Sequence, residues 1–507
     1  MIQFGVGSRA VGATFGLAVI GVLFLSRFPL TPAVLVTFDA ANFAFALEDF
    51  NPSLHKPQPP GYPLFVGLTR LLHVFISDLP TLFTFAGIIA TLGAVLALAR
   101  LAEEIAGWRA AIVSAILLIF HPAVWTEGLL NPVRGFLATA SACIGLLVWR
   151  AWNQGSNRGW IVGTWAALGL FSGFRPTVML LLAPLCLAVG IRRRTSPVEW
   201  IHCGLALAVT VAVWVGACVW AVGGVSAYLA LLRDYSDQQF TETSLLFGAS
   251  VTPALKMAGR ALIWSFGPAA CWAWMMFLAR SRELSAQFRP IGLFLLLWAV
   301  PSLLSATLFH SAEPGHVLTV VTPLCLVGGL VVAAVLRRWN SLGWTVGAVV
   351  VPAVCSVALF FYPPTSVMRL TSAEAVRLQE RRVAPALALL NEYARRERLT
   401  VIASPASTVP WRLLAYYQPT IPLVVLHGQS DYWVMRHGRL ESSGKGHVVV
   451  PCSDVQLWFP GGESTAATGF EAVGPALLSR INAGALLRVS DKEFALSRSC
   501  PALIAQE

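Results

Sequence analysis

Between Phe38 and Phe65 the chain reads FDAANFAFALEDFNPSLHKPQPPGYPLF. Asp39, Asn42, Glu48, Asp49, His55, Lys56 and Gln58 fall inside this stretch, beside a Pro-Pro-Gly-Tyr-Pro turn. Carboxylates, an imidazole, an amine and amides are groups that move protons and hydrogen-bond polar ligands. Asp39 and Asn42 are three residues apart, the spacing that puts two side chains on one face of a helix. A connection built only to join two apolar helices needs neither that length nor those charges. The stretch therefore predicts the mouth of an active site at a membrane surface. A second chemical feature is Arg175, in the Gly173-Phe-Arg-Pro176 break of an apolar hairpin. A guanidinium at membrane depth is costly, so it usually pairs or lines a polar cavity. Its fork suits phosphate oxygens. The alternative is that Arg175 snorkels to lipid headgroups.

These residues are set in a chain made for lipid. It is 56% hydrophobic and 12% charged, where soluble domains carry about 25% charged residues. Apolar runs at roughly 11–35, 80–100, 109–122, 132–151, 160–174, 176–191, 199–222, 259–279, 290–309, 316–336 and 343–362 predict about eleven spans. The first has no small-residue cleavage site before Phe38 and reads as a signal anchor. The net charge of +11 resides largely in arginine clusters at alternate connections, among them Arg100 with Arg109, Arg192 to Arg194, and Arg337 with Arg338. That is the positive-inside pattern, not a nucleic-acid surface. It places the N-terminus in the cytoplasm. The Phe38 loop, the turn from Glu127 to Arg134, the Arg175 break, the 224–258 loop and the stretch from His310 to His316 then fall on the outer side. A bacterial inner membrane is the expected location.

Composition changes near Pro363, so residues 1–362 read as a transmembrane domain and 363–507 as a soluble extracytoplasmic one. Ser372 to Arg398 is a charged amphipathic helix. Thr400 to Ser404, Ile421 to Leu426, Val448 to Pro451 and Leu486 to Val489 read as short buried strands of a small α/β domain. The fold class is thus mostly α, a polytopic helical membrane protein with that small domain appended. Seven of the nine cysteines lie in or near spans and behave there as small apolar residues. Cys452 and Cys500 are the two in the outer domain, where an oxidising compartment would permit a disulfide.

Within the opening loop, Phe43, Leu47 and Phe50 follow Asp39 at helical spacing, giving an apolar face for the bilayer surface. The stretch from His55 to Pro63 cannot be helical, because each proline fixes φ and removes a donor. Leu64 to Phe75 is a second amphipathic stretch. Each residue also has a plainer reading. Asp39 could be an N-cap, the prolines a spacer and His55 a surface residue.

A signal anchor followed by an outer loop with FDAANFAFAL and HKPQPPGYPLF resembles the GT-C superfamily of membrane glycosyltransferases, in its protein O-mannosyltransferase-like and lipid A aminoarabinose transferase-like branch. PAVWTEGLLNPVRGF from Pro122 to Phe136, the arginine break at Arg175, and the stretch from His310 to Leu318 are similar to later outer segments of that superfamily. The resemblance covers about residues 10–362. It implies an essential acidic residue in the first outer loop, a position held by Asp39. It also implies a sugar donor on a polyprenyl phosphate, a lipid, glycan or protein acceptor, and hexosyl or pentosyl transfer with inversion. Asp39 would take the acceptor's proton and Arg175 would hold the leaving phosphate. Asn42, His55, Gln58, Tyr62, Glu127, Arg134, Lys256, His310 and His316 are further candidates for substrate binding, with Tyr62 suited to stacking on a sugar ring. The outer loops carry no DxD pair, so no metal or other cofactor is inferred. The competing reading is a transporter or flippase for a lipid-linked saccharide, since broken helices and intramembrane charge also mark transport paths. A lipid-binding receptor is a third.

Overall fold

The computed structural model describes residues 6–498 except 154–156, 245–247, 249, 310–312, 340, 397, 404–406, 408, 428–430, 438, 446, 451–454, 460–470, 474–475, 480–485 and 490–491. Two compact units make up the chain. The first comprises residues 1–31, 51–53 and 59–376, the second residues 32–50, 54–58 and 377–507.

The first unit is helical and integral to the membrane. Among the described residues, seven helices are long and apolar enough to cross a bilayer: Gly12–Leu30, Leu79–Ala106, Pro132–Asn153, Pro197–Val222, Gly292–Phe309, Pro314–Arg338 and Gly343–Phe361. The pair Trp108–Ile119 and Pro122–Leu130, bent by 51°, forms an eighth if it is one broken span. About eleven were expected. The difference arises where helices are short. Arg158–Ser172 and Thr177–Arg192 have 15 and 16 residues, fewer than the roughly 20 a bilayer needs. The apolar run at 259–279 is not one helix. A helix at Val251–Phe266 stops at Gly267-Pro268 and gives way to short turns of 3-10 and α-helix through Phe277. Proline there removes a donor and fixes φ, so the run breaks although its composition is uniform.

Helix ends follow local chemistry. Asp78 accepts from Thr81 N–H at 3.0 Å to start Leu79–Ala106. Ser196 and Glu199 make a reciprocal capping box ahead of Pro197–Val222. Gly107 joins two helices at φ +88°, a conformation that costs glycine little.

The interior is formed by Leu79–Ala106, Trp108–Ile119, Pro132–Asn153 and Pro314–Arg338. In the last of these, 89% of the apolar window is buried, against 11% for Pro197–Val222, so the former is core and the latter faces lipid. Close approach relies on small residues. A Cβ on Gly87 would lie 2.0 Å from the carbonyl oxygen of Gly128. The buried Ser141 hydroxyl donates to the Thr319 carbonyl at 3.0 Å and accepts from Trp298 Nε1 at 2.8 Å, which satisfies polar groups inside the bundle. The seven cysteines described here are free thiols. Cys452 and Cys500 lie outside the described residues.

The second unit carries the strands. They are β1 (Leu399–Ala403), β2 (Leu423–His427), β3 (Asp431–Arg436), β4 (Arg439–Lys445), β5 (His447–Val450), β6 (Val455–Phe459), β7 (Glu471–Val473), β8 (Ala476–Ser479), β9 (Leu486–Val489) and β10 (Lys492–Arg498). A seven-stranded sheet runs in the order β4-β3-β2-β1-β6-β8-β7, and a three-stranded sheet in the order β5-β10-β9. β1 pairs in parallel with both β2 and β6 and is buried along its whole length, as a central strand should be. The predicted amphipathic helix is present as Ala373–Arg396, and the predicted strands coincide with β1, β2, β5 and β9. Short polar strands such as β4 lack the apolar run that would announce them.

The opening loop contains both predicted helices, Phe38–Glu48 and Pro63–His73. Between them lie two cis peptide bonds, Lys56-Pro57 and Pro59-Pro60.

Candidate functional site

The second unit holds Asp39, Asn42, His55 and Gln58. Thr37 is the N-cap of Phe38–Glu48, its hydroxyl accepting from Ala40 N–H at 3.1 Å. Asp39 therefore does not cap the helix. It lies half-buried in the first turn, where a carboxylate complements the exposed amide end of the helix. One turn on, Asn42 is completely buried. Its Oδ1 accepts from Arg412 Nε at 2.8 Å, and its Nδ2 donates to Gln58 Oε1 at 3.1 Å.

Arg412 is the hub of this unit. It comes from the helix Trp411–Tyr417, is 2% exposed, and also donates from Nη2 to the carbonyls of Leu54 at 3.0 Å and His55 at 3.2 Å. Its guanidinium lies 4.6 Å from the Phe45 ring centroid and 5.6 Å from that of Trp411. Burial lowers its pKa to about 10, so it stays charged at neutral pH. Burial, and then the charge of Arg412, lower the pKa of His55 below the ordinary histidine value. Burial, followed by the charge of Glu48, pushes Tyr416 up to about 12. Asp49 pairs with Lys56 at 3.1 Å.

The first unit holds Tyr62, Glu127, Arg134, Arg175, Lys256 and His316. Arg175 follows the helix Arg158–Ser172 at its break. Its Nη2 donates to His316 Nε2 at 2.8 Å, so that nitrogen acts as an acceptor. His316 sits in the 3-10 turn Pro314–Val317 ahead of a core helix. The same turn presses on Arg134. A Cβ on Gly315 would lie 2.2 Å from Arg134 Cδ and 2.8 Å from Glu127 Oε2. Arg134 is buried and pairs with Glu127 at 3.6 Å and with the half-exposed Glu313.

Aromatic packing fixes the frame. Phe136 stacks on Phe174 with centroids 4.2 Å apart and planes 11° from parallel. Phe65 meets Phe136 edge-on at 6.0 Å. Leu64 N–H donates to the Gly173 carbonyl at 3.3 Å, which fastens the second loop helix to the arginine break.

The structure thus gathers Glu127, Arg134, Arg175 and His316 into one cluster. Tyr62 lies at the start of the second loop helix. It adopts φ 49°, is 7% exposed, and its carbonyl receives Phe65 and Val66 N–H. Lys256 is exposed on the helix Val251–Phe266, and His310 lies outside the described residues. Two participants escaped the sequence reading. Arg412 is a lone cation in the aromatic run WRLLAYY, a signal that was available. Glu313 precedes Pro-Gly and gives no sign by itself that it meets Arg134.

Chemically, the cluster offers guanidinium donors for an anion. Arg134 faces two carboxylates, whose negative charge opposes an incoming phosphate. Arg175 is met by an imidazole.

No family model matches the sequence, and no curated protein matches it. Solved structures do. The crystal structure of ArnT from Cupriavidus metallidurans bound to undecaprenyl phosphate superposes with a TM-score of 0.56 at 13% identity, covering 86% of this chain and 98% of that one. The same protein in the apo state gives 0.52 at 15% identity, covering 82% and 86%. At such identity the likeness is one of fold.

Proposed function

We propose that this chain is a membrane glycosyltransferase. It moves a hexosyl or pentosyl group from a polyprenyl-phosphate donor to an acceptor on the extracytoplasmic face. The observation that carries the reading is Arg175, held at a helix break by His316 and flanked by Arg134 with its two carboxylates. It stands in a fold shared with a protein seen bound to undecaprenyl phosphate.

In the proposed reaction the acceptor hydroxyl attacks the anomeric carbon from the face opposite the phosphate. The bond from that carbon to the phosphate oxygen breaks, and its electron pair leaves with the polyprenyl phosphate. The acceptor's proton passes to the Asp39 carboxylate, and the product has inverted configuration. General-base help of this kind contributes about 10²- to 10⁴-fold. Arg175 would stabilise the charge that develops on the leaving phosphate, a role for preorganised donors in a site poor in water. Its planar fork can engage two phosphate oxygens. Because two carboxylates beside Arg134 oppose a second anion, Arg175 is the better candidate of the two.

Purified full-length protein, incubated with radiolabelled polyprenyl-phosphate sugars and a panel of lipid, glycan and peptide acceptors, tests this. The expected result is label transfer with release of polyprenyl phosphate. Movement of an intact lipid-linked sugar across a vesicle bilayer, with no transfer, would replace the reading with transport.

A further inference from the structure

We infer that Arg412 is a positioning residue for Asp39, and that the short helix Trp411–Tyr417 is the clamp through which the C-terminal α/β part of the chain sets the catalytic loop. The inference rests on Asp39 being the proton acceptor.

Four residues of this seven-residue helix grip the loop. Trp411 meets Phe38 edge-on at 5.5 Å, and Tyr416 meets Phe45 edge-on at 5.1 Å. Tyr417 Oη accepts from Leu35 N–H at 2.8 Å. Arg412 reaches Asn42 on the loop helix and the Leu54 and His55 carbonyls beyond it. The loop helix is thereby held at its approach, its middle and its exit. Asn42 shares a face with Asp39, one turn away, so the Arg412–Asn42 bond fixes the rotation of the helix that aims the carboxylate. A cation as buried as Arg412 is expensive to desolvate, and its burial is compensated by the three oxygens of the loop that it donates to. A role in aiming Asp39 gives its burial a catalytic use. A misplacement of about 1 Å can cost 10²-fold in rate.

The test uses full-length protein and compares Arg412→Met, Asn42→Ala, Asp39→Asn and the double variant Arg412→Met/Asp39→Asn. Turnover is measured at saturating polyprenyl-phosphate sugar, beside the Kd for undecaprenyl phosphate and a melting curve. Asn42→Ala cuts the link to the loop helix while leaving Arg412 its carbonyl contacts, so it reports even if Arg412→Met folds poorly. Both single variants should lose about 10²-fold in kcat with the Kd unchanged. Adding Arg412→Met to Asp39→Asn should cost nothing more, because both act on one step. Normal kcat in Arg412→Met and Asn42→Ala beside an impaired Asp39→Asn overturns the inference. So does a multiplicative loss in the double variant, or a parallel loss of donor binding, which would make Arg412 a general structural support. Full activity in Asp39→Asn removes the base role itself and takes the positioning of that base with it. Absence of transfer by the wild-type chain shows before any variant is compared and refutes the glycosyl-transfer reading.

Discussion

Asp39 sits one position into its helix, and Thr37 already supplies the cap. The N-cap position is therefore filled by another residue than Asp39. Arg175 invites a sharper discrimination. If it holds the donor phosphate, Arg175→Lys and Arg175→Ala should both weaken undecaprenyl phosphate binding, since an ammonium cannot reproduce a bidentate contact. A snorkelling arginine would tolerate lysine. Binding measured on the two variants separates the cases, and an unchanged Kd in Arg175→Ala would remove the residue from the site. His55 gives a pH signature. Its pKa is lowered in the folded chain, so the unfolded chain takes up a proton first as pH falls. Stability from this group is intact above the ordinary value near 6.5 and is lost below it. His55→Gln should flatten the decline in melting temperature between pH 7.5 and 5.5. An unaltered decline would assign it to other groups.

Elements bring these residues together, and the turn Pro314–Val317 is a tight joint in the first unit. Gly315 lies against Arg134 and Glu127 with no room for a methyl group. Gly315→Ala should therefore destabilise the protein by roughly 1–3 kcal/mol, the usual cost of overpacking. It should also weaken undecaprenyl phosphate binding by shifting His316 off Arg175. A melting curve and a binding isotherm check both, and wild-type values would show that the turn yields freely. Here the sequence was partly informative. An arginine between Gly-Phe and Pro in an apolar hairpin advertises itself, because only a break exposes a guanidinium at that depth. That His316 would be its partner depended on how two connections 141 residues apart meet, which no local pattern encodes. Asn42 and Gln58 drew notice as polar residues in a busy loop. Their amides bind each other, and Asn42 also accepts from Arg412, a pairing set by a helix some 370 residues away. The break at Gly267-Pro268 was hidden because the residues on either side are equally apolar.

Across the whole molecule, the alternation of arginine clusters with bare connections predicts a cytoplasmic N-terminus and an extracytoplasmic C-terminal part. A reporter fused at the C-terminus, active solely outside the cytoplasm, should be active, and a cytoplasmic signal would place the proposed site residues on the wrong side of the bilayer. Seven of the predicted spans were readable because a bilayer demands long apolar helices, whereas the runs at 160–174 and 176–191 coincide with helices too short to cross and the run at 259–279 is not one helix. The central claim is that Asp39 performs a step in sugar transfer. It is tested most directly by single-turnover transfer from one radiolabelled polyprenyl-phosphate sugar, with wild type and Asp39→Asn side by side. The expected result is transfer by the wild type and a rate at least about 10²-fold lower in the variant, with undecaprenyl phosphate still bound. Equal rates in the two proteins would contradict it.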